Sequence, residues 1–123
     1  MLSFRGARET GEPGISRFRV WLYEPSRNDN HIYVPDMAAQ VGTALKRIVR
    51  LLSEAGAGPE HIVRLTWYLT SRSEHEAAGA GIGAAWKETL GRNFPPSTLL
   101  YIDGLVDQRA KVEIEVTAFV PAA

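Results

Sequence analysis

From Lys111 to Val120 the side chains alternate in character. Val112, Ile114, Val116 and Ala118 face one way, and Glu113, Glu115, Thr117 and Phe119 the other. Such a segment is a strand with one dry face, and that face needs a second layer to cover it. Ile62 to Thr70 repeats the pattern, with Val63, Leu65, Trp67 and Leu69 against Arg64, Thr66, Tyr68 and Thr70. The covering layer is legible as helices. Met37, Val41, Ala44, Leu45, Ile48, Leu52 and Ala55 recur at three and four, with Asp36 placed to cap the start and Gly56 to end the helix in a left-handed turn. A second helix is predicted from Ser73, where Ser73-x-x-Glu76 forms a capping box, with a stripe of Ala78, Ile82, Ala85, Trp86, Thr89 and Leu90 and a stop at Gly91. Gly79, Gly81 and Gly83 each cost this helix roughly 1 kcal/mol relative to Ala, which implies either close approach of another backbone or a softened segment.

Pro95-Pro96 leads into a strand from Ser97 to Ile102, turned at Asp103-Gly104. Residues 1–35 hold two more strands split by Gly11, Pro13 and Gly14, the better one from Ile15 to Tyr23, followed by a loop over 25–35. The element order is β-β-α-β-α-β-β. One domain over residues 1–123 is expected: an α+β, two-layer fold with a mixed sheet and two helices packed on one face.

A chain of 123 residues can build a core without a disulfide or metal staple. The absence of cysteine removes thiolate nucleophiles, zinc-thiolate sites and iron–sulfur clusters together. Fourteen Lys and Arg balance fourteen Asp and Glu, so no broad electrostatic footprint for nucleic acid is expected. No apolar run reaches the ~18–20 residues that span a bilayer, and Met1-Leu2-Ser3-Phe4-Arg5 opens no signal-peptide core. A cytoplasmic location without membrane contact is the expectation. Glu74-His75-Glu76 points its side chains apart on a helix, so neither a metal nor any other cofactor is expected.

The second sheet face is harder to satisfy. By alternation it collects Arg64, Thr66 and Tyr68, Ser97, Leu99 and Tyr101, and Glu113, Glu115 and Phe119. That surface is too aromatic for open solvent and too charged for a sealed core. A partner subunit covering part of it, with a cleft left over, resolves the conflict.

Several segments resemble the RidA/YjgF (Rid) family in order and spacing over about residues 36–120: Gln40-x4-Leu45-x2-Ile48, Leu51-Leu52-x-x-Ala55-Gly56, His61-Ile62-Val63-Arg64-Leu65-Thr66-x-Tyr68-Leu69-Thr70, Phe94-Pro95-Pro96-Ser97-Thr98-Leu99, and Val112-Glu113-Ile114-Glu115-Val116-Thr117-Ala118. The resemblance implies a chorismate-mutase-like fold, a homotrimer and ligand clefts between subunits. It also implies hydrolysis or deamination of enamine and imine intermediates, chemistry that needs a guanidinium for the substrate carboxylate and a carboxyl group to organise water. The arginine of active members falls at Ser97 here, and their helix asparagine at Gly79. Their N-terminal tyrosine and Ser-Gly-Gln segment have no match in residues 1–25. This points to a divergent member lacking the imine-deaminase arginine.

Of the carboxylates, Glu115 is the candidate acid–base group. Glu113 leaves the same strand face about 7 Å away. Either could instead pair with Arg64 or with a neighbouring subunit. Ser97, Tyr101 and Tyr68 are the candidate ligand contacts, with a backbone cap the competing role for Ser97 and an interface wedge for the tyrosines. Arg64 could supply the missing positive charge, whereas Arg109 is expected in solvent. None of His31, His61 and His75 is placed by the pattern beside Ser97, so no serine–histidine–acid triad is expected. The functional expectation is a trimer binding a small metabolite in an intersubunit cleft, without standard 2-imino-acid deaminase activity. The alternatives are a non-catalytic binding module or an endoribonuclease- or translation-inhibitor-like protein using Lys46, Arg47 and Arg50.

Overall fold

A computed structural model describes residues 35–121 in full and the backbone of two N-terminal strands. In chain order the elements are β1 (Leu2–Arg5), β2 (Gly14–Trp21), α1 (Met37–Glu54), a 3-10 turn (Pro59–His61), β3 (Ile62–Leu69), α2 (Arg72–Ala77), α3 (Gly79–Thr89), β4 (Ser97–Tyr101) and β5 (Val112–Val120). The strands form one mixed sheet in the order β1-β2-β5-β3-β4, with β3 and β4 parallel and every other neighbour antiparallel. The α+β order expected from the periodicity is the order found, except that the second helix is in two pieces. The loop expected over 25–35 lies outside the described residues apart from Pro35, as does His31.

Helix α1 forms where its pattern placed it. The Asp36 carboxylate accepts from the Ala39 N–H at 2.8 Å and caps the first turn. Gly56, at φ +78°, ends the helix, with Ala57 N donating to Leu52 O and Gly56 N to Ser53 O. Its stripe of Met37, Val41, Ala44, Leu45, Ile48 and Leu52 is buried against the sheet, where Val112, Ile114, Val116 and Ala118 of β5 form the opposite half of the core.

Two details depart from the periodicity. The second helix begins at Arg72 and is capped by Ser71, whose Oγ accepts from Glu74 N at 3.2 Å. Ser71-x-x-Glu74 and Ser73-x-x-Glu76 are the same pattern two residues apart, and the fold uses the first. That helix is also broken at Ala78, so α2 and α3 are separate pieces. In β3 a bulge between Ile62 and Arg64 leaves Val63 as an extra residue opposite β5. Ile62 therefore takes the buried position expected of Val63, which is 46% exposed.

The glycines of α3 resolve into two roles. A Cβ at Gly81 would stand 2.8 Å from the Ala38 Cβ, and one at Gly42 3.7 Å from the Ala85 Cβ, so α1 and α3 touch through missing side chains. Gly79 and Gly83 have nothing within 4 Å of a Cβ position and face open space.

Candidate functional site

The open space beside α3 is a groove. A cavity of 760 Å³ is bounded by Gly83, Trp86, Phe94 and Ser97 with the cations Lys87 and Arg92. A smaller one of 350 Å³ continues from it between Trp67, Ile82 and Leu99, with His75 at its side. Gly83, Trp86 and Ser97 border both, so the two form one groove between α3 and the edge strand β4. Its wall is a ladder of rings. Trp67 stacks on Trp86 at 6.3 Å between centroids, and Trp86 on Phe94 at 6.1 Å with the planes only 6° apart.

Parallel pairing of β3 with β4 decides which candidates meet here. Ser97, Leu99 and Tyr101 stand beside Leu65, Trp67 and Leu69, so they lie on the helix-facing side of the sheet. Alternation alone places them on the opposite face with Tyr68. Alternation fixes which residues of one strand share a face, but a separate edge strand can be docked either way up, and only its partner register decides. Tyr68, Arg64, Glu113 and Glu115 do lie on the far face, where Arg64 pairs with Thr117, Thr66 with Glu115 and Tyr68 with Glu113. Arg64 Nε donates to Thr117 Oγ1 at 3.4 Å. In β2, Arg19 pairs with Glu115 and Trp21 with Glu113. A single chain thus separates Glu115 from Ser97 and Tyr101 by the thickness of the sheet.

Ser97 Oγ donates to Pro95 O at 3.1 Å, so its proton is committed to a strand-start cap and the oxygen is left as an acceptor. Tyr101 is engaged twice. Its hydroxyl lies 2.7 Å from His75 Nδ1, and the Arg72 guanidinium sits over its ring, 4.3 Å from the centroid. With Nδ1 occupied, Nε2 is the His75 ring nitrogen left for the cavity that His75 and Ser97 share. Sequence spacing could not show this, because α2 and β4 meet only through the fold. The Ser97 proton nevertheless goes to Pro95 and the Tyr101 hydroxyl holds Nδ1, an arrangement other than a nucleophile–base pair.

Lys87, Arg92, Trp86 and Phe94 are groove residues that pattern reading missed as such. Trp86 read as core, and the cations gave no signal of their own. Arg109, expected in solvent, instead forms a two-pronged pair with Asp107 at 3.0 and 2.9 Å. That guanidinium holds the Asp107 carboxyl below its ordinary value of 3.8. Among the described residues no group of three metal-ligating side chains gathers, and no helix is long and apolar enough to cross a membrane.

Comparison with known proteins agrees with this architecture. The family model described as Endoribonuclease L-PSP matches residues 23–120. A member of the YjgF/YER057c/UK114 family from Mycobacterium tuberculosis is 32% identical and covers 69% of each chain with a TM-score of 0.59. A Rid-family protein from Yersinia pestis is 25% identical, covers 87% of this chain and 81% of that one, and superposes with a TM-score of 0.68. An uncharacterised protein from Streptomyces coelicolor is 31% identical over 84 residues, 68% of this chain, and the chain spans 60% of that relative's length. A matching family model over most of the chain, and a relative at 32% identity with the same fold, place this protein in the Rid/YjgF family, which also goes by the description Endoribonuclease L-PSP.

Proposed function

We propose that this chain is a small-molecule-binding Rid-family protein that works as a homotrimer and lacks the standard 2-imino-acid deaminase reaction. The observation that carries the reading is the continuous groove between α3 and β4, bordered throughout by Gly83, Trp86 and Ser97. A serine hydroxyl already bonded to Pro95 O cannot replace a planar two-donor cation on a substrate carboxylate. Trimer formation is supported by the exposed edge strand β4, whose Leu99 and Leu100 are nearly half exposed, and by Phe119 on the far face. Closure of one subunit's groove by the far face of the next would bring Glu115 to it. Glu115 is then the acid–base group of any turnover, with Tyr101 a ligand contact and Glu113, Arg64 and Tyr68 lining the closing face.

An RNA-directed reading draws on the family's description and on the basic side of α1. There Arg50 already has a carboxylate neighbour in Glu54 at 3.4 Å, and among the described residues no aromatic groove lies beside it, so the metabolite reading is preferred. Incubation with freshly generated 2-aminoacrylate tests the proposal. Ammonia release at the background rate is expected, and release that falls on Glu115→Gln substitution would overturn it.

A further inference from the structure

The wider part of the groove has an uneven chemistry. Its wall is apolar and aromatic, and among the described residues its charged members are Lys87 and Arg92 and no carboxylate borders it. Among the described residues Lys87 and Arg92 form no ion pair, whereas Arg50, Arg109 and Lys111 are matched with Glu54, Asp107 and Glu74. Two cations without an ion pair beside an apolar wall create a field that favours an anion, and because both are exposed that field is screened as salt rises.

The rings set the second requirement. Phe94 is 76% exposed, yet its ring lies nearly parallel to Trp86 beneath it. The two rings are parallel but offset, so most of Phe94 stays open and the ladder can be extended on it. A further flat ring placed there continues the stack that Trp67, Trp86 and Phe94 begin. Ser97 contributes an acceptor oxygen and no proton, so the anionic group has to be met by the cations.

From this arrangement we infer that the groove takes a small molecule carrying one flat ring and one anionic group, with the ring on Phe94 and the anion held by Lys87 and Arg92. This rests on the groove being the ligand site and specifies what it selects. A carboxylate and a phosphate both satisfy the anion requirement.

Titration of the full-length, isotope-labelled protein separates the outcomes, read on the Trp86 indole and the backbone amides of Arg92 and Phe94. The probes are indole-3-acetate, adenosine 5′-monophosphate, neutral indole and propionate. One of the two ring-bearing anions should bind at least about tenfold more tightly than either indole or propionate, and which of them does so identifies the anion. The K87Q/R92Q double variant should erase that advantage while leaving indole binding unchanged. Both positions are exposed, so the variant keeps its fold. Binding of both ring-bearing anions no tighter than that of indole, or an unchanged anion affinity in the double variant, overturns the inference and leaves the groove reading standing. Shifts absent from the groove with every probe overturn both. Tight, salt-sensitive binding of a single-stranded oligonucleotide where both small anions fail overturns the inference in favour of nucleic acid.

Discussion

Gly81 and Gly83 lie two residues apart in α3, and the same substitution should act on them with opposite sign. An alanine in a helix interior is favoured over glycine by about 1 kcal/mol, because the glycine loses more backbone freedom on folding. At Gly83 nothing stands within 4 Å of the added methyl, so Gly83→Ala keeps that gain. At Gly81 the methyl meets the Ala38 Cβ at 2.8 Å, well inside the roughly 3.5–4.0 Å of a comfortable carbon contact. Neither partner has a flexible end that can swing away, so α1 and α3 must move apart. Overpacking of this kind costs about 1–3 kcal/mol, which outweighs the propensity gain at the middle of that range. For a domain of this size about 1 kcal/mol moves the melting midpoint by ~4 °C. Gly83→Ala should therefore melt about 4 °C above the parent and Gly81→Ala a few degrees below it, measured by circular dichroism. Two shifts of the same sign and size would refute the close contact between α1 and α3.

Other consequences follow from single contacts. Gln40 is 2% exposed, donates to Pro35 O and Arg109 O and accepts from Lys111 N at 2.7 Å. Gln40→Met should cost about 2–3 kcal/mol, because it leaves backbone groups of the segment before β5 unpaired, and a change within error in thermal melts would contradict this. Because the Asp107 pKa is lower in the folded chain than in the unfolded one, its pairing stabilises the fold above about pH 4 and the effect is lost as pH falls through the folded value. Asp107→Asn should accordingly lose about 1 kcal/mol near neutrality, with the gap to the parent closing below pH 3.8 in acid titrations. Retention on a short single-stranded RNA column should be weak at low salt and unaffected by Lys46→Gln; strong retention abolished by that change would favour the RNA reading.

What could be read from sequence was whatever depends on neighbours a few residues away. The Asp36 cap, the left-handed Gly56, the helix stop at Gly91 and the alternating faces of β5 are of this kind. What could not be read depends on distant partners. Gln40 is bonded to residues 69 and 71 positions away, so its burial has no local signature. The side on which Ser97 and Tyr101 lie follows from the register of β4 on β3, and the bulge at Val63 shifts a strand whose pattern looks regular. The glycine puzzle of α3 likewise needed the crossing with α1, which divides those residues between a helix contact and a groove.

A fragment screen followed through the indole and amide resonances, with Gly83→Leu run beside the parent, is the most direct check on where ligands go. The leucine fills the groove at a position with open space and improves helix propensity, so the variant should fold at least as well as the parent. Fragments that shift Trp86, Phe94 and Ser97 in the parent and lose those shifts in Gly83→Leu are the predicted result. Fragments that gather on the Glu113–Glu115 face, or bind Gly83→Leu as they bind the parent, would show that ligands are held somewhere other than between α3 and β4.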